Sequence, residues 1–74
     1  MYVYILKSRN KSYQYVGMTN NIERRLHEHN SGHVKSTKHY APFDLISAEV
    51  VNNRMEARRL EKYYKSGIGR EARK

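Results

Sequence analysis

Cysteine is absent from the 74 residues, which removes disulfide staples, zinc-thiolate sites and thiol nucleophiles together. Such a chain suits a reducing compartment, so the cytoplasm is the expected location. No apolar run approaches the roughly 20 residues needed to cross a bilayer, and Met1 leads straight into a strand-like pattern with no basic segment before it. Neither a membrane anchor nor a signal peptide is expected. Acidic residues are scarce: 7 Asp and Glu stand against 15 Lys and Arg, a formal net charge of +8. On so short a chain that excess points to a polyanion partner. Nucleic acid fits better than a membrane surface, because no segment joins a basic face to a broad exposed apolar one.

The length allows one compact domain spanning residues 1–74 and is too short for two. A domain of this size buries only about 60% of the surface that its unfolded chain exposes, so polar groups on inward faces are informative. Tyr2 to Leu6 is rich in aromatic and β-branched residues, and Tyr13 to Met18 resumes that pattern after the polar stretch Ser8–Ser12. The pair reads as a β-hairpin. Alternation places Tyr2 with Tyr4 on one strand face and Tyr13 with Tyr15 on the other strand, so four tyrosines can share one surface.

Asn20 followed by Glu23 resembles a capping box and predicts a helix from about Asn21 to Asn30, stopped by Gly32. At about 100° per residue, Ile22, Arg25, Leu26 and His29 fall in one inward arc, whereas Glu23, Arg24, His27 and Glu28 point elsewhere. Ser31 to Tyr40 has no clear period and reads as a basic loop, closed by Pro42. Phe43 to Val51 reads as a third strand whose apolar residues fall in two phases, as expected of a central strand covered on both faces. Asn53 with Glu56 opens a second helix running to about Lys65, with Gly67 as its stop. Its apolar arc is Ala57, Leu60 and Tyr64, and Glu61 borders it. For Ser66 to Lys74 a last short helix and a frayed end both stay open. The sum is an α+β fold, β-β-α-β-α, with helices on a small three-stranded antiparallel sheet.

Tyrosines on a hairpin, an inward Arg and His on one helix, and a Glu on another are types suited to phosphodiester hydrolysis. That reaction needs a base for water, a cation for the charge growing on phosphate and, commonly, a metal on a carboxylate. His29 and His33 have the i, i+4 spacing of helical zinc ligands, but Gly32 interrupts the helix between them. Gly17 reads as a backbone requirement, for close strand approach or the turn into the helix.

Tyr2-Val3-Tyr4, Tyr15-Val16-Gly17, Asn21 to Leu26 with Arg25, Glu28 to Gly32 with His29, and Ala57 to Glu61 follow one another in an order that resembles the GIY-YIG nuclease superfamily. The likeness covers nearly the whole chain, and its ending, Lys65 to Glu71, is similar to that of short stand-alone bacterial members. It also extends to the nuclease domain of the excision-repair endonuclease, which brings DNA repair into view as a setting. Two departures stand out: Tyr2 replaces the glycine of GIY, and Met18 follows Gly17 where excision-repair members commonly carry lysine.

The resemblance implies a metal-dependent DNA endonuclease with Tyr4, Tyr15, Arg25, His29 and Glu61 as its active site. Tyr15, ahead of Tyr4, would take the proton of the attacking water. Arg25 would bind the non-bridging phosphate oxygens, and Glu61 would hold one Mg²⁺ or Mn²⁺. His29 would orient the water or a tyrosine hydroxyl, or protonate the leaving oxygen. Lys7, Arg24, Lys35, Lys38 and Arg70 are candidate phosphate contacts, which supply affinity without sequence information. Branched and single-stranded DNA are among the expected substrates; no small-molecule organic cofactor is expected, and the chain is expected to be a monomer or weak dimer. The rival readings are a non-catalytic module for branched, damaged or single-stranded DNA, and an RNA-binding protein.

Overall fold

A computed structural model of the chain describes residues 1–66. Three antiparallel strands, β1 (Tyr2–Ser8), β2 (Gln14–Thr19) and β3 (Phe43–Val50), form a sheet in the order β2-β1-β3, with helices α1 (Ile22–Asn30) and α2 (Arg54–Lys65). The α+β architecture and element order match the sequence reading. The tail beyond Ser66, for which a last short helix and a frayed end both stay open, and Arg70 with it, lie outside the described residues.

The centre of the sheet differs from expectation. β1, not β3, is the central strand, and its Val3, Tyr4, Ile5 and Leu6 are all buried. A strand with helices on both faces must be apolar at consecutive positions, and this run meets that demand. Its odd residues Val3 and Ile5 join Val16 and Ala57 under α2, with Leu60 and Tyr64 packed at the margin. Its even residues Tyr4 and Leu6 join Phe43 under α1, with Tyr13, Tyr15, Ile22, Leu26 and Tyr40 around them. Burial of each large side chain contributes about 1.5–3 kcal/mol, so β1 supports both cores at once.

The two apolar phases of β3 have another cause. The strand lies at the sheet edge and carries an irregularity: Ile5 pairs with Ser47 but Leu6 pairs with Leu45, which leaves Ile46 as an extra residue. A bulge of this kind reverses the alternation. Phe43 and Leu45 before it, and Ala48 and Val50 after it, therefore pair with Ser8, Leu6, Tyr4 and Tyr2 and share the Tyr4 face. Phe43 is buried, but Leu45 and Val50 remain 39% and 72% exposed.

Both helices start on asparagine caps. Asn21, one residue beyond the predicted Asn20, accepts the Arg24 N–H at 3.0 Å. β2 extends to Thr19, whose hydroxyl accepts the Asn21 N–H at 3.1 Å and so moves the cap onward. In α2, Asn53 accepts the Glu56 N–H at 2.9 Å while the Glu56 carboxylate returns to the Asn52 N–H at 3.1 Å. At the end of α1, the Asn30 amide bonds both backbone groups of Phe43: its oxygen accepts the N–H at 2.6 Å and its nitrogen donates to the C=O at 3.3 Å. This clamp fixes the start of β3 against the end of α1.

Gly17 lies directly opposite Tyr4 in the β1–β2 ladder. A Cβ there would meet the Tyr4 hydroxyl at 2.6 Å, Tyr4 Cζ at 2.8 Å and Tyr15 Cε1 at 2.8 Å. The bare backbone is what allows the Tyr4 ring to lie flat across the neighbouring strand. Gly17→Ala should therefore cost about 1–3 kcal/mol, the range for overpacking a filled core. Urea unfolding measures it, and a variant as stable as the wild type would contradict this packing.

Candidate active site

The tyrosine face of the sheet and the inward arc of α1 meet around one imidazole. His29 is fully buried, as the helical arc predicts. Its Nε2 stands 3.3 Å from the Tyr4 hydroxyl, and its Nδ1 stands 2.8 Å from Thr37 Oγ1. The Tyr15 ring packs against the imidazole with centroids 4.7 Å apart, and Phe43 meets it edge-on at 5.8 Å. Tyr4 and Tyr15 lie 6.2 Å apart, centroid to centroid.

The two tyrosines have different surroundings. Tyr4 is 1% exposed, and burial holds its phenol above the usual range, against the opposing pull of the Arg25 guanidinium that reaches the same group. Tyr15 is only half-buried. Burial, seconded by the charge of Arg25, holds the His29 imidazole below its usual 6.5 and keeps it neutral at neutral pH. Contact with the Tyr4 phenol raises Arg25 above its usual value, so it stays charged.

Arg25 is less enclosed than the helical arc suggests, its side chain being 30% exposed, and it is ion-paired. Arg25 Nη1 donates to Glu28 Oε1 at 2.9 Å, one helical turn on. The i, i+3 spacing could have revealed this pair, but the arc had sent Glu28 elsewhere. Glu61 lies on α2, which packs on the opposite face of β1, and its carboxylate is paired with Lys65 at a loose 3.9 Å. Contacts join Tyr4, Tyr15, Arg25 and His29 into one group.

Metal chemistry can be tested against this donor set. Among the described residues no three His, Cys, Asp or Glu side chains cluster as a ready-made cage. Both ring nitrogens of His29 have protein partners, and His33 Nδ1 contacts Ser31 Oγ at 3.0 Å, so the helical zinc pair is not formed. Glu61, half-buried and weakly paired, fits an ion that keeps most of its water, which is the habit of magnesium.

Of the predicted phosphate contacts, Arg24, Lys35 and Lys38 are exposed, and Lys35 and Lys38 flank the buried Thr37 behind His29. Lys7 is exposed too, but strand alternation puts it on the α2 face with Val3 and Ile5. Arg9 is engaged by Asp44 at 2.6 Å, and Lys11 lies over the Tyr40 ring at 5.6 Å. Tyr13 is a packing residue, stacked on Tyr40 at 3.8 Å. Thr37, buried among loop residues without a period, gave no signal in the sequence.

A family model described as the GIY-YIG catalytic domain matches residues 1–73. A UPF0213 protein of Clostridium perfringens is 43% identical over 65 residues, covering 86% of this chain and 69% of the relative. A UPF0213 protein of Bacillus licheniformis is likewise 43% identical over 65 residues, covering 86% and 66%. One from Syntrophus aciditrophicus is 48% identical over 54 residues, covering 70% and 61%. The matched stretch thus spans from 61% to 69% of these three relatives' own lengths. No solved structure matches the chain. With the tyrosine hairpin, the arginine–histidine helix and the glutamate helix in the expected order, and a family match over 1–73, the chain belongs to the GIY-YIG catalytic-domain family, a family of nucleases.

Proposed function

We propose that the protein is a DNA endonuclease in which Tyr15 is the general base and Arg25 the phosphate-binding cation, with Tyr4 and His29 positioning both. The observation that carries this division is the contrast between the two tyrosines. Tyr4 is enclosed by Gly17, His29 and Arg25, and burial keeps its proton on at neutral pH, so it is poorly suited to accept another from water. Tyr15 lies against the same imidazole yet stays open to solvent. Two like groups given different environments take different roles.

In this reading Tyr15 first gives its phenolic proton to solvent. As phenolate it then takes the water's proton while the water oxygen bonds to phosphorus, and the leaving oxygen departs with its bond to phosphorus broken and a proton taken from solvent. Arg25 supplies positive charge beside the Tyr4 phenol, whose ring lies 6.2 Å from that of Tyr15. The Arg25 fork holds the non-bridging oxygens, for which guanidinium geometry is suited. Glu61 would hold a hydrated Mg²⁺ or Mn²⁺, which when bound supplies charge neutralisation at the phosphate. Arg24, Lys35 and Lys38 extend the positive surface from α1 to the loop behind His29, as backbone contacts to DNA require.

Tyr15→Phe should lower the cleavage rate by about 10²–10⁴-fold, the usual weight of a positioned base, while leaving DNA affinity unchanged. Tyr4→Phe keeps the ring over Gly17 and should cost at least about tenfold less than Tyr15→Phe. Single-turnover assays on labelled duplex, branched and single-stranded DNA separate the two. The reverse order would make Tyr4 the base, and binding without cutting by the wild type on every substrate would leave a binding module.

A pH dependence follows from His29. Its native pKa lies below the usual 6.5, so the unfolded chain takes up this proton first as pH falls. Stability from the neutral imidazole is present in full above about pH 6.5 and is lost as pH drops below that value towards the native pKa. Imidazolium also has no acceptor to offer Tyr4. Melting temperature and cleavage rate should therefore fall together between about pH 7 and pH 5. A profile of both that stays flat across this window would contradict the role of His29.

A further inference from the structure

We infer that Thr37 is a positioning residue that fixes the tautomer of His29, making Nδ1 the proton donor and Nε2 the acceptor that faces Tyr4. The inference rests on the active-site reading above.

The assignment comes from counting protons. Thr37 is fully buried, and its Oγ1 has two partners: His29 Nδ1 at 2.8 Å and the Val34 carbonyl at 3.4 Å. A carbonyl only accepts, so the single hydroxyl proton of Thr37 points to that oxygen, sharing it with two backbone N–H groups, and a lone pair is left for an N–H on Nδ1. On the far side of the ring, the Tyr4 oxygen is approached by His29 Nε2 and by Arg25, which can only donate. If Nε2 carried the proton, Tyr4 would face two donors and its own proton would have no acceptor in a buried site. With the proton on Nδ1, each donor has an acceptor: Tyr4 gives to Nε2, Nδ1 gives to Thr37, and Thr37 gives to Val34. Among the described residues no buried side-chain polar atom lacks a partner, as this arrangement requires.

The backbone holds Thr37 in place for the task. Its N–H donates to the Val34 carbonyl at 3.1 Å, and the next residue, Lys38, donates to the same oxygen at 3.0 Å. The loop is thereby folded into a turn that presents Oγ1 to the imidazole. Through the fixed tautomer, Thr37 directs the Tyr4 proton towards His29 and leaves the Tyr4 oxygen free to receive Arg25, the phosphate-binding group.

The direct test is long-range ¹H–¹⁵N NMR of the histidine rings at neutral pH, with His29 assigned by its loss in His29→Gln. The wild type should show the Nδ1–H form. Thr37→Val, which keeps the shape and removes the acceptor, should shift His29 towards the Nε2–H form, while Thr37→Ser should retain the wild-type signature. Cleavage kinetics should follow, with kcat reduced by about 10–100-fold in Thr37→Val at unchanged KM and largely restored in Thr37→Ser, the range seen when orienting partners of functional imidazoles are removed. An Nε2–H signal in the wild type, or an unchanged tautomer in a folded Thr37→Val, would overturn the inference. If Thr37→Val does not fold, the wild-type and Thr37→Ser spectra decide it alone. A wild type that shows the Nδ1–H form but cuts no DNA would refute the nuclease reading and leave the role of Thr37 in fixing the tautomer standing.

Discussion

The Tyr4 phenol is enclosed on the central strand by the bare backbone of Gly17, the His29 imidazole and the Arg25 guanidinium, and this enclosure fixes much of the remaining structure. It requires glycine on the adjoining strand, because any side chain there would meet the ring. It requires α1 to cross the same sheet face at a depth that buries His29 completely while Arg25, one turn earlier, reaches both the phenol and solvent. It requires a loop after α1 that returns Thr37 to the far side of the imidazole. A domain this small buries few polar side chains, and among the described residues no buried side-chain polar atom lacks a hydrogen-bond partner.

Much of this was legible in the sequence because local rules govern it. The caps at Asn53 and near Asn20, the tyrosine alternation and the placement of His29 on the inner arc of α1 follow from residue spacing alone. The differences arise chiefly where non-local geometry decides. Apolar residues in both phases of β3 resemble those of a central strand, but the bulge at Ile46 restores them to one face of an edge strand. Leu45 and Val50 stay largely exposed as a result. Glu28 was set aside by the helical arc, yet a flexible carboxylate one turn from Arg25 reaches the guanidinium. Thr37 depends on the path of an aperiodic loop, which no spacing rule reports.

The charge is distributed unevenly around this frame. Arg24, Lys35 and Lys38 belong to α1 and the loop that surrounds the buried histidine, whereas Lys7 and the basic face of α2 lie across the sheet. Glu61 is the one member of the predicted site carried by α2, and its carboxylate forms a loose pair with Lys65. The tyrosine–histidine–arginine group is internally bonded, and in the proposed reading Glu61 adds the carboxylate for a hydrated cation. Glu61 is therefore the point at which hydrolytic chemistry and mere recognition of nucleic acid separate most cleanly.

The most direct measurement is cleavage of labelled DNA by the wild type and by Glu61→Ala, each shown to be folded, with Mg²⁺ or Mn²⁺ and with a chelator control. Metal-dependent cutting by the wild type, lost in Glu61→Ala while DNA binding persists, is the result expected here. Cutting that survives both the chelator and the substitution would contradict the metal assignment, and a folded, metal-supplied wild type that binds but never cuts would contradict the nuclease itself.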